Sequence, residues 1–110
     1  MTSKPAEDDD QDPADDERWL IVKGRRWRRT DPSLPEQVAA ALRSHLGRGR
    51  SAVRNGKRAD DEAAVSAARK RVGLAKRGLG ERGEYWWDRP EADRLAQAED
   101  ALRDLEALDD

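Results

Sequence analysis

The sequence predicts a mainly α-helical protein: an antiparallel helical hairpin plus a third C-terminal helix, preceded by a short β-hairpin or extended segment and a disordered acidic N-terminal tail. Three observations carry this prediction. Apolar residues step by three and four along two stretches in the middle of the chain and one near its C-terminal end. Proline, glycine and aspartate or asparagine punctuate the chain between those stretches. The opening residues are strongly acidic and almost devoid of apolar side chains.

Residues 1–17 hold eight acids and one lysine, a net charge of −7. A like-charged run with nothing to bury repels itself, so residues 1–17 are expected to form a disordered acidic tail. Arg18 to Thr30 is the β-like stretch. Trp19 to Val22 are aromatic, aliphatic or β-branched, Lys23-Gly24 reads as a tight turn, and Trp27 lies in the returning arm. Alternation puts Arg25, Trp27 and Arg29 on one face and Arg26 and Arg28 on the other. Two strands alone are marginal, so Trp19, Ile21 and Trp27 are expected to anchor them on the helices.

Asp31-Pro32 marks a turn, and Ser33-Leu34-Pro35-Glu36 reads as a capping box with proline in the first turn. The helix that follows carries a stripe of Ala39, Leu42, Leu46, Gly49 and Val53, with Arg43, Arg50 and Arg54 along one flank and Arg48 on the far face. Asn55-Gly56 reads as its stop. A second helix opens at Asp60 or Asp61 and repeats the stripe with Val65, Ala68, Val72, Ala75 and Leu79. Lys76 and Arg77 complement its negative end, and Gly78 or Gly80 closes it. Small residues (Ala39, Gly49, Ala68 and Ala75) line the seam of this pair. Asp88-Arg89-Pro90-Glu91 repeats the capping-box pattern, and the last helix presents Leu95, Ala98, Leu102, Leu105 and Leu108. Its outer face carries Asp93, Asp100 and Asp104, with Glu99 and Glu106 on a flank. The chain thus divides into a tail over 1–17, a basic domain over 18–88 and an acidic helix over 89–110.

Composition narrows the function. With 110 residues, 42% of them charged, and mean hydropathy −1.12, the apolar core is thin and stability modest. The chain has no cysteine and one histidine, His45, which excludes disulfides, thiol nucleophiles and thiolate metal sites. No run of about 18 apolar residues exists to span a bilayer. The acidic N-terminus is unlike a secretory signal, so a cytoplasmic location is expected. Arginine outnumbers lysine 17 to 5, as GC-rich actinobacterial codons would have it.

The net charge of −2 is sharply segregated. Residues 18–82 hold eighteen Lys and Arg against six acids, net +12, and residues 83–110 hold ten acids against three arginines, net −7. A basic block of this density is the footprint of a polyanion binder. The candidate contacts are Arg25, Arg26, Trp27, Arg28, Arg29, Arg43, Arg50 and Arg54, where guanidiniums match phosphates and an interleaved indole can stack on an unpaired base. The competing reading is that these arginines form a solvated face, or neutralise the acidic ends. Tyr85, Trp86 and Trp87 follow a glycine-rich turn and read either as a structural plug over the helix pair or as a partner-binding patch.

Gly47-Arg-Gly-Arg-Ser51 lacks the ending of a phosphate loop and falls inside a helical pattern. His45 reads as a structural helix residue, and no Ser/His/Asp set is credible. The expectation is a non-enzymatic binding or adaptor module for nucleic acid or an acidic protein. It needs no cofactor, no metal and no membrane. The alternative is a protein-interaction or homo-oligomeric module that uses the helical seam and the Trp loop.

Trp19 to Trp87 also resembles a family of short bacterial proteins common in actinobacteria. The residues that carry the resemblance are Gly24 to Arg28, Asp31 to Glu36, Leu79 to Gly83, and Trp86-Trp87. Members are often labelled "biopolymer transporter Tol". The resemblance implies a small bacterial protein and supplies no catalytic residue. The transport role is not carried over, because the sequence shows no transmembrane segment or signal peptide.

Overall fold

The computed structural model describes residues 13–109, with side chains from residue 16 onward. It is mainly helical, with three long helices preceded by a two-stranded antiparallel hairpin. The chain divides into two compact units, Met1–Thr30 and Asp31–Asp110. The boundary between the two units falls after Thr30.

In the first unit, residues 1–12 of the expected tail lie outside the described residues. The remainder is a short helix, α1 (Pro13–Arg18), opened by a proline whose missing N–H is harmless there. It runs directly into β1 (Trp19–Val22), which pairs with β2 (Arg25–Arg28). Lys23 and Gly24 both take positive φ, +52° and +79°, as the two-residue turn that matches strand twist requires. Beyond the ladder, the Arg29 N–H donates to the Arg18 carbonyl at 2.8 Å. The Arg29 side chain reaches back to the Asp16 and Trp19 carbonyls, tying α1 to the hairpin. The register sets Trp19 opposite Arg28, Leu20 opposite Trp27, Ile21 opposite Arg26 and Val22 opposite Arg25. Trp19 and Ile21 therefore share one face and Trp27 takes the other. The three expected anchors cannot work through a single face, and Ile21 is 62% exposed.

The second unit is built from α2 (Glu36–Arg58), α3 (Glu62–Gly78) and α4 (Glu91–Leu108), with a 3-10 turn at Trp86–Asp88. Leu42, Leu79 and Leu105, one from each helix or its end, are fully buried, with Leu34, Ala39, Leu46, Ala75, Ala98 and Ala101 packed around them. The C-terminal helix thus fills the seam of the helix pair and completes a three-helix core. Leu108, expected on the apolar stripe, is instead exposed.

Two predicted caps fail. The helix caps at Pro35 and Pro90 make no side-chain hydrogen bond. At Pro35 this is because Ser33 donates to Asp31 instead; for Asp88 before Pro90 no competing side-chain bond is seen among the described residues. Asn55-Gly56 does not stop α2. Gly56 is buried against Val65 and the helix runs on to Arg58. The Asp61 cap forms as predicted, its carboxylate accepting from the Ala64 N–H at 3.0 Å. Gly49 is where a side chain would fail: a Cβ there would stand 2.8 Å from a Val72 methyl and 3.2 Å from the Val72 backbone nitrogen. No helix among the described residues is long and apolar enough to cross a membrane.

Candidate functional site

The predicted polyanion contacts fall into two groups, one in each unit. On the hairpin, alternation places guanidiniums over indoles of the same face. Arg26 lies over the Trp19 ring at 4.0 Å and Arg25 over the Trp27 ring at 4.9 Å. An indole face attracts a cation and holds it without desolvating it fully, so these arginines are oriented as well as charged. Arg28 shares the Trp19 face, and Arg29 is engaged with the backbone carbonyls of Asp16 and Trp19.

On α2, Arg43, Arg50 and Arg54 are exposed along one flank of the helix. Arg43 makes a surface ion pair with Glu36 at 2.9 Å, and Arg54 donates to the Ser51 hydroxyl. The helices add cations that the sequence reading did not single out. The Lys76 ammonium is pushed below the usual lysine range, first by burial and then by the charges of Arg82 and Arg50, with Glu81 opposing them. Arg82 comes from the loop after α3 and reaches over Gly73, where its guanidinium would be 3.4 Å from an added Cβ. Lys57 and Arg69 line a cleft of about 470 Å³ at the α2–α3 turn, which they share with Asp60, Asp61 and Glu62. The helical phase of Lys76 and Arg69 could have placed them beside the arginine row. Arg82, in a loop, left no periodic signal. Between Gln37 and Ala59, and again between Ala63 and Gly80, there is no acid at all.

Behind this surface, two polar clusters hold α4 in place. The first is a hub on Asp31, which is 3% exposed. Its Oδ1 accepts from the Ser33 N–H at 2.9 Å and the Ser33 hydroxyl at 2.8 Å, and its own N–H donates to the Leu79 carbonyl. Its Oδ2 stands 3.4 Å from Nε of Arg94, itself nearly buried on α4. Arg94 also donates to the Trp86 carbonyl at 2.8 Å and lies over the Trp86 ring. Gly80, at φ +80°, lets Asp31 and Trp86 close over it.

The second cluster is a clamp on His45, which is buried. Its Nδ1 faces Arg48 at 2.7 Å and Arg71 at 2.8 Å, and must accept from both, which makes it the unprotonated nitrogen. Both arginines reach on to Asp109, at 3.1 and 2.6 Å. Burial, followed by the two guanidiniums, lowers the His45 pKa, while Asp109 and Glu106 oppose them. Hydrogen bonds from Arg71 and Arg48 lower that of Asp109.

The aromatic string divides. Trp86 is buried, whereas Tyr85 is exposed and stacks on half-buried Trp87 at 4.6 Å. Trp86 meets Trp87 edge-on. Among the described residues, no three His, Cys, Asp or Glu side chains gather to hold a metal ion. No family model, curated protein or solved structure matches the chain.

Proposed function

We propose that this chain is a non-enzymatic binding module whose basic surface takes the phosphate backbone of a nucleic acid. The observation that supports it best is the acid-free run of α2 and α3. Along the sequence no acid falls between Gln37 and Ala59 or between Ala63 and Gly80. In space Glu36 meets Arg43, Asp60, Asp61 and Glu62 share the cleft of Lys57 and Arg69, and Glu81 acts on Lys76, so Arg50 and Arg54 carry the reading furthest. A solvated surface without a partner gains from mixing charge signs, since unrelieved repulsion works against the compact state. The hairpin supports the same reading through guanidiniums preset on indole rings. A cytoplasmic location goes with it.

The test is a fluorescence-anisotropy titration of single-stranded and duplex oligonucleotides over a salt series. Each phosphate neutralised contributes about −0.7 to −0.9 to the log–log salt slope, so several contacts predict a slope of about −4 or steeper. Arg43→Ala/Arg50→Ala/Arg54→Ala and Arg25→Ala/Arg26→Ala should each make it shallower. Neutralising the acids among residues 1–12 should tighten binding. A slope shallower than about −2, unmoved by either set, overturns the reading. The Tyr85–Trp87 stack favours a second reading, a module that docks an acidic protein. In that case Trp87→Ala, rather than the arginine variants, abolishes capture.

A further inference from the structure

The last helix carries a feature that nucleic-acid binding leaves unused. Asp93, Asp100 and Asp104 form an exposed row along α4, lining a groove of about 380 Å³ together with Leu74, Ala101, Arg77 and Arg89. The row is spaced seven residues, then four. Arg43, Arg50 and Arg54 on α2 are also spaced seven, then four, in the same chain direction. Seven and eleven residues return an α-helix to within about 20° of the starting azimuth, so each row is nearly straight and about 16 Å long.

We propose that the aspartate row of one copy seats on the arginine row of a second copy, with the two helices parallel and Asp93, Asp100 and Asp104 opposite Arg43, Arg50 and Arg54. Within one molecule α4 does not use this row. Its intramolecular ion pairs with the helix pair run from Asp109 to Arg48 and Arg71 instead. Asp93 and Asp104 make no ion pair among the described residues, and Asp100 pairs only with its neighbour Arg103. That bond, and Arg43 with Glu36, join exposed side chains and exchange at little cost. Gly47 lies among the arginines with open space where a side chain would stand, so a second helix can approach closely. A carboxylate row also relieves the crowding of Arg50 beside Lys76 and Arg82, which adds to burial in lowering the Lys76 pKa. Opposite faces meet, so nucleic acid and a second copy compete for the arginine row.

Sedimentation velocity at low salt is the test, on the full chain and on two charge-reversed variants checked for helicity. Wild type should sediment faster as its concentration rises. Asp93→Lys/Asp100→Lys/Asp104→Lys and Arg43→Glu/Arg50→Glu/Arg54→Glu should each associate at least about tenfold more weakly. Mixing the two variants should restore a heavier species, because each supplies the row the other has lost. The milder Asp93→Asn/Asp100→Asn/Asp104→Asn keeps the test open if reversal unfolds the chain, and it too should weaken association. A wild type that stays monomeric, an aspartate variant that associates as wild type does, or a mixture no heavier than its components overturns the proposal. The aspartate variants keep the whole basic surface, so their oligonucleotide titration reports on nucleic-acid binding separately.

Discussion

The two ends of α4 are tied down by clusters of similar parts and opposite physics. At its start, Arg94 meets Asp31 in a site that is almost dry, with the carboxylate 2% and the guanidinium side chain 10% exposed. At its end, Asp109 meets Arg48 and Arg71 where water still reaches, the carboxylate side chain being 38% exposed. A dry ion pair is costly to break, because whichever charge remains has lost its water and its partner. A wet one relaxes into solvent when broken. The start of the helix is therefore fixed by an all-or-none contact. Its end is held by a contact that solution conditions can tune.

The most severe way to break the contrast is Asp31→Ala. It leaves the Arg94 guanidinium with only the Trp86 carbonyl and the exposed Glu91 carboxylate, and removes the acceptor of both Ser33 bonds. It should cost about 3 kcal/mol in urea unfolding. A loss below about 1 kcal/mol would mean that water already reaches the hub. Comparable in size is Trp86→Ala, which removes the buried ring beside Arg94 and should cost about 3 kcal/mol, against clearly less for half-buried Trp87→Ala.

The clamp answers to pH instead. The His45 pKa is lower folded than unfolded, so the folded state binds fewer protons in that interval. Stability should fall as pH drops through the unfolded value near 6.5 toward the lower folded value, then level off. His45→Gln should flatten that part of a stability–pH curve, and an unchanged slope would assign it elsewhere. The Asp109 contribution is present above its unfolded value of 3.8 and lost at lower pH, as the carboxylate protonates, so the two windows separate. The smallest effect belongs to Asp109→Asn. Its carboxylate raises the His45 pKa against the guanidiniums, so its removal should move the imidazole titration, followed by NMR, further down. A shift upward would contradict the clamp geometry.

Much of this architecture was legible because helices repeat. The stripes of Leu42 and Leu46, of Ala68 and Ala75, and of Ala98 and Leu105 needed only periodicity to be found, and all are buried. What periodicity cannot carry is competition for one side chain. Ser33 looks like a cap until Asp31 takes both its donors. Gly56 looks like a stop until Val65 requires the space. The hub stayed hidden because Asp31 and Arg94 each look like ordinary surface charges, and only the packed helices bring them together. His45 lies buried on its helix. Arg48, one turn along, was within reach of a local pattern, but Arg71 on α3 and Asp109 after α4 were not.

The hub also bears on how the chain leaves the ribosome. Asp31, Ser33, Leu79, Gly80 and Trp86 all emerge before Arg94, and α2 and α3 can already pair through Gly49 and Val72. Until Arg94 appears, Asp31 has the Ser33 donors but no cation beside its Oδ2, so burying that corner costs more than it does in the finished fold. A chain released short of Arg94 should hold that corner less tightly and be cut there sooner by proteases.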